Sequence, residues 1–450
     1  MTLRTSIAAL FVGLVCTTSV SSQSSRMPTA PTAGSETPGG LVRGTQILTV
    51  TSLDDAGSGS LREALSQPGP RVIVFAVGGD IRLKSDLRIR RPDVTIAGQT
   101  APEPGITIAG AALRIQTHDV VVQHIAVRPG AADAANVNDN RDGISVNGRG
   151  ENASYSVRLE NVSVSWSVDE GVSTYYPTTR DVTIRNSIIA EALRRAGHSK
   201  GSHSMGLLVG TRTRGVQVTG NLLANNNHRN PVMGAGASAF IANNYIVNPG
   251  LNAIHVYSRD GSQAISPVPT LGTIIGNVVV AGPSTSKRMN AVRIPNDMAK
   301  FAPDARLFID GNLLEGRDDN VVVSNPSALP LLQSPEITAP SWTLLLADDV
   351  PGYVLRYAGS RPLKRNPVDA RLLDAIAHGR AQIIDRPDDV GGLPPSSETR
   401  APISLPADPH APTKLGLSRL AAWLCLQHLN LGGPPTPECA FSASELKSIL

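Results

Sequence analysis

Three stretches of the chain concentrate side chains able to act on a substrate. The first holds Asp133, Asn138, Asp139, Asn140, Arg141 and Asp142, followed by Gly143 and the short apolar run Ile144 to Val146. Oxygen-rich groups held ahead of a rigid strand suit a hard cation such as calcium, and the same composition also serves ordinary turns. The second is Trp166-Ser167-Val168-Asp169-Glu170-Gly171-Val172-Ser173, with two adjacent acids. Neighbouring strand residues face opposite ways, so one of Asp169 and Glu170 is expected to share a face with Asp142 unless the chain bulges, and the other reading is a salt bridge to a nearby arginine. The third is Asn225-Asn226-Asn227-His228-Arg229-Asn230-Pro231, together with the upstream segment 197–206 that carries His198, Lys200 and His203. Its cations could bind carboxylates spaced along an acidic polymer, or form a solvated basic loop.

Groups so far apart in the chain need an element that repeats. Short runs of alternating β-branched residues, each followed by Gly or Asn, begin at Val94, Val120, Ser156, Val182, Val216, Phe240, Thr273 and Leu307, at intervals of 24 to 36 residues. That spacing is expected of solenoid repeats with unequal loop insertions. A strand of about five residues cannot bury its apolar face alone, whereas stacking each on the last gives parallel pairing around a continuous aliphatic interior. An antiparallel sandwich would show two-residue hairpin turns at short spacing, which are scarce here. The reading is therefore all-β, a parallel β-helix. Asn221, Asn244, Asn277 and Asn312 follow their strands and are expected to be turn residues, tolerating left-handed geometry and bonding the equivalent amide one coil away.

Composition agrees: hydrophobic residues make up 41% but aromatics only 4%, with 41 glycines, which fits many short aliphatic strands and excludes a helical bundle. The net charge of +4, without basic clusters interleaved with aromatics, gives no sign of a nucleic-acid groove. Residues 1–22 have the order of a secretory signal, with Arg4, then an apolar run from Ile7 to Cys16 too short to span a membrane, then small polar residues. A secreted protein that is not membrane-anchored follows. Loss of Cys16 with the signal would leave Cys425 and Cys439, for which a disulfide is chemically reasonable after export. Residues 23–44, rich in Ser, Thr, Pro and Gly, read as a flexible leader, and 45–395 as the coil domain. Ser60-Leu61-Arg62-Glu63-Ala64-Leu65 reads as a short helix capping the open N-terminal end. Residues 396–450 read as a Pro-rich linker and a partly helical appendage, with helical spacing over 415–431.

With these residues in view, the chain resembles the bacterial pectate lyases of the large parallel β-helix lyase family. The resemblance runs from Val50-Thr51-Ser52-Leu53-Asp54 and Pro92-Asp93-Val94-Thr95-Ile96-Ala97-Gly98-Gln99-Thr100-Ala101-Pro102 to Asn366-Pro367-Val368-Asp369-Ala370-Arg371, Ile383-Ile384-Asp385 and Val390-Gly391-Gly392, covering about residues 45–395. It implies a right-handed helix and a calcium-dependent lyase acting on polygalacturonate. It also implies Asp142, Asp169 and Glu170 as metal ligands and Arg229, in an Arg-X-Pro motif ahead of Asn243-Asn244, as the catalytic base. Lys200, His203 and His228 would bind substrate. Two departures stand out: the family's second acid falls on Ser173 or Thr174, and its second arginine is replaced within Val232-Met233-Gly234. Arginine is ordinarily protonated, so a base of this type implies an alkaline optimum. The alternatives are a β-helix glycoside hydrolase, which needs paired carboxylic acids, and a non-catalytic glycan-binding or adhesin protein. A monomer is the default for a solenoid with covered ends.

Overall fold

A computed structural model describes residues 32–130, 140–259, 264–296, 300–317, 321–395 and 397–450. The expected signal segment with Cys16, the first part of the leader, and Asp133, Asn138 and Asp139 lie outside the described residues.

The chain winds into a right-handed parallel β-helix with three strands per coil, whose stacked strands form three sheets. The first sheet runs from Gln46–Val50 to Arg306–Asp310 and contains every run that repeats in the sequence. Its register stacks Ile96, Val122, Leu159, Ile184, Val218, Ile241, Ile274 and Ile309 in one column. All but Ile309 are fully buried, and each such aliphatic side chain contributes roughly 1.5–3 kcal/mol of burial. The second sheet runs from Val77–Arg82 to Leu313–Glu315, and the third from Leu87–Ile89 to Val323–Ser324.

The turn from first to second sheet divides its labour between two residues. The residue before the ladder position takes the left-handed conformation, as at Gly220, Asn243, Gly276 and Gly311. The next residue, Asn221, Asn244, Asn277 or Asn312, is buried. Each of the first three passes its amide N–H to the Asn Oδ1 one coil on, at 2.9, 2.9 and 2.8 Å along the series. The amide ladder is as expected; the bend belongs to the preceding residue.

A helix at Leu61–Ser66, capped by Ser60 accepting from the Glu63 N–H, buries Leu61, Ala64 and Leu65 against the first coil. Residues 32–44, expected within a flexible leader, instead lie along the first sheet: the Gly34 N–H donates to Gly215 O at 2.8 Å and the Gly40 N–H to Thr95 Oγ1 at 3.0 Å. Residues 326–395, expected within the coil domain, add no further coil strand among the described residues. Helices at Val350–Tyr357 and Pro367–Ala377 pack Val350, Val354, Ala358 and Leu372 on Ile188, Leu222 and Val278 of the second sheet. The chain then returns to the N-terminal end, where Thr399–Arg400 pairs antiparallel with the strand Val77–Arg82. A helix at Arg419–Asn430, tied by the Cys425–Cys439 disulfide, lays Leu420 and Leu424 on Val72, Val74 and Ala97 of the first sheet. Among the described residues two faces of the β-helix are thus covered, and the third sheet is the one left to carry a groove.

Candidate active site

Three consecutive coils enter the third sheet with the same local sequence, Asp142-Gly143-Ile144, Glu170-Gly171-Val172 and Met205-Gly206-Leu207, in register at Ile144, Val172 and Leu207. A Cβ on Gly143 would lie 2.2 Å from Val164 Cγ1, and one on Gly171 2.6 Å from Ile189 Cγ2, both core side chains. Gly171 and Val172 therefore both turn toward the interior, and this break in the alternation of a regular strand aims Glu170 at the groove. Asp169 precedes the strand Glu170–Thr174 and reaches the same place from the loop. Both acids thus share the groove with Asp142, where regular alternation would have admitted one.

A carboxylate oxygen from each of Asp142, Asp169 and Glu170 lies within 4.8 Å of the others. Asp142 is buried; its Oδ2 accepts from Ser173 Oγ at 2.6 Å and its Oδ1 from the Glu170 N–H at 3.3 Å. Burial, reinforced by the charge of Asp169, pushes the Asp142 carboxyl up to about 7. Burial also acts to raise Asp169, but the hydrogen bond from His203 and the charges of His203, His198 and Arg229 outweigh it and hold Asp169 below the usual carboxylate range. Ser173, where the resemblance implied a second acid, faces the groove as a hydroxyl, 2.9 Å from Ser145 Oγ on the preceding coil.

Arg229 is half-buried and its guanidinium pairs with Glu170. Its backbone carbonyl accepts from the Leu207 N–H at 2.6 Å, which fixes it beside the neighbouring coil. Lys200 is exposed and lines the same groove, a space of about 1200 Å³ bounded also by Arg114, Tyr175, Tyr176 and Tyr257. Two histidines expected at the substrate stand behind that wall. His203 is buried with Nε2 donating to Asp169 Oδ1 at 2.9 Å. His228 pairs through Nε2 with the Asn252 amide at 2.6 Å, and burial lowers it to about 4.

Of the residues singled out in the sequence, Asp142, Asp169, Glu170, Lys200 and Arg229 converge on one groove. Arg114 and the tyrosines carry no signal in the sequence analysis, and Ser173 enters it only as the position of a missing acid. The Asp-Gly-Ile and Glu-Gly-Val repeat was available in the sequence and aligns Asp142 with Glu170 and Ser145 with Ser173. The tyrosines follow the strand in a turn and carry no such periodic signal.

No family model matches the chain. Curated relatives do. The chain is 31% identical over 376 residues to probable pectate lyase C of Emericella nidulans, covering 81% of this chain and 79% of that one. It is 32% identical over 358 residues to that of Aspergillus flavus, covering 77% of each, and 33% identical over 343 residues to that of Aspergillus fumigatus, covering 74% and 73%. Among solved structures, the cedar pollen allergen jun a 1 superimposes with a TM-score of 0.49 at 17% identity, over 72% of this chain and 91% of that one. A Bacillus subtilis pectate lyase variant superimposes with a TM-score of 0.47 at 13% identity, over 73% and 95%. On the extent and identity of the fungal matches, the chain belongs to the pectate lyase family.

Proposed function

We propose that the protein is a polysaccharide lyase that cleaves polygalacturonate by β-elimination in the groove on the third sheet. The observation that carries this reading is the convergence of the Arg229 guanidinium and a three-carboxylate cluster on one open groove, in a chain of this family. In the reaction the proton on carbon 5 of a galacturonate is removed, a double bond forms between carbons 4 and 5, and the bond from carbon 4 to the glycosidic oxygen breaks, that oxygen leaving with a proton from solvent. Arg229 would take the proton from carbon 5 and Lys200 would hold substrate carboxylates on the way in.

Calcium fits the cluster: the donors are all oxygens, and a cation would offset both the burial and the neighbouring Asp169 charge that push Asp142 up to about 7. Asp142, Asp169 and Glu170 would be its ligands. When bound, calcium would neutralise the substrate carboxylate and so stabilise the negative charge left by the departing proton. The protein acts as a monomer after export, a setting that suits the Cys425–Cys439 disulfide. Among the described residues no helix is long and apolar enough to cross a membrane.

Mass spectrometry of the products separates the chemistries. Elimination conserves mass, so fragments sum to the parent oligogalacturonate; hydrolysis adds one water per cut. Products carrying that extra water would overturn the lyase reading in favour of a hydrolase, and uncut oligomers that remain tightly bound would overturn it in favour of a binding scaffold.

A further inference from the structure

The groove has a supporting layer that the reaction does not use directly. His198 and His203 stack face to face, with ring centroids 3.4 Å apart and planes 19° from parallel. Both turn Nε2 toward one carboxylate: His203 Nε2 lies 2.9 Å from Asp169 Oδ1 and His198 Nε2 lies 3.3 Å from Asp169 Oδ2. The two rings are nearly inaccessible, with side chains 1% exposed for His198 and 7% for His203, while Asp169 itself is 20% exposed. Asp169 thus sits between a buried imidazole stack and the cluster it forms with Asp142 and Glu170.

The two histidines and Asp169 are also spaced to hold a cation between them. The tautomer argues against that use. The Lys200 backbone N–H donates to His198 Nδ1 at 3.0 Å, so Nδ1 presents a lone pair and the ring proton stands on Nε2, facing Asp169. A metal at Nε2 would require that proton to leave and the Lys200 contact to break. As a donor, His198 Nε2 instead adds to the field on Asp169 from a position without a well-directed hydrogen bond.

We infer that His203, backed by His198, is a positioning residue that holds Asp169 in place as a cation ligand, and that neither histidine contacts the substrate or the metal. A carboxylate beside two others would otherwise swing away or take a proton. An N–H fixed on one oxygen keeps it oriented and leaves its outer lone pairs for the cation, as outer-shell partners of metal ligands do. The inference rests on the calcium reading given above.

Calcium affinity, measured by titration calorimetry on the whole chain, tests it. His203→Asn is polar but too short to reach Asp169 Oδ1, whereas His203→Gln keeps an N–H at the position of Nε2. The expected result is a dissociation constant weakened by roughly ten- to a hundredfold in His203→Asn and His203→Ala, restored toward wild type in His203→Gln. At saturating calcium all three should recover kcat with KM for polygalacturonate unchanged. Melting temperatures in chelator identify any variant that fails to fold, and the Asn and Gln pair keeps the comparison if Ala does. Unchanged calcium affinity in His203→Asn overturns the inference, and a raised KM alongside it would make His203 a substrate ligand. Zinc binding that is lost in His203→Gln overturns it in favour of a metal ligand. No calcium binding by the wild type overturns the metal reading itself, a failure distinguishable from the others.

Discussion

At the scale of single residues, the site is a problem of crowded negative charge. Asp142 is pushed up to about 7 by burial and by Asp169, so below that pH the metal-free site keeps a proton that a cation must displace. Calcium affinity should therefore rise by up to about tenfold per pH unit as pH increases toward 7, then level off. Calorimetry across that range checks it, and a flat profile would mean that Asp142 is not a ligand. The Ser173 hydroxyl bond works to lower Asp142, so Ser173→Ala should move the plateau to higher pH. Residue type and neighbourhood in the sequence point to Asp142, Glu170, Lys200 and Arg229. Which groups face the groove is not legible there. Asp169 and Glu170 looked mutually exclusive under regular alternation, and the inward glycine at 171 removes that exclusion. The resemblance implies His203 as a substrate ligand, whereas in the fold its Nε2 donates to Asp169, which stands in front of it.

At the scale of elements, stacking does two things: it positions the site and it supplies cohesion. Gly171→Ala would drive a Cβ to within 2.6 Å of Ile189 Cγ2 and 2.9 Å of the Gly206 carbonyl oxygen. The variant should fold less stably and lose calcium affinity together, because the same turn aims Glu170; calorimetry and thermal denaturation report the two losses. In the ladder, Asn277 Oδ1 accepts from both the Asn244 backbone N–H and its side-chain amide, at 3.0 and 2.9 Å. Asn277→Ala strands those buried donors and should cost about 3 kcal/mol in chemical denaturation; a cost below about 1 kcal/mol would mean that water or a shifted backbone replaces the amide. The first sheet is readable because its strands are four to six residues long and the later ones end on the Asn turn. Strands of the third sheet shrink to two residues, as at Val232–Met233, too short for any alternation to register. The helices at Val350–Tyr357 and Pro367–Ala377 were missed because they lie among prolines that obscure the helical spacing.

At the scale of the whole molecule, the chain beyond the last coil wraps back over the outside and decides which face stays open. The return is fastened by ion pairs: Glu438, next to the disulfide, pairs with Arg158 and Arg185, and Arg185 also pairs with Glu160 at 2.5 Å. Removing residues 397–450 should expose Val72, Val74 and Ala97 and destabilise the N-terminal coils; limited proteolysis would detect early cleavage there, and an unchanged pattern would contradict the packing role. Acid should loosen the fold as well. Burial lowers His255 to about 3 and His228 to about 4, whereas both take up a proton near 6.5 when unfolded. The unfolded chain then binds more protons below 6.5, so stability is complete above that pH and falls as pH drops toward 3, by up to about 1.4 kcal/mol per unit for each imidazole. Urea denaturation in an Asp142→Asn background, free of that carboxyl's opposing titration, checks the slope. Sequence showed the solenoid and the helix at Arg419–Asn430, but not how the return segments share out the faces, since surface wrapping leaves no periodic trace.

The most direct test of the central claim is the ultraviolet absorbance of unsaturated uronide ends when the purified protein meets polygalacturonate, at neutral and alkaline pH, with calcium and with chelator. The expected result is a rise that needs calcium, is faster at alkaline pH and is abolished by Arg229→Lys. Absorbance that rises equally in chelator, or survives Arg229→Lys at full rate, would contradict it.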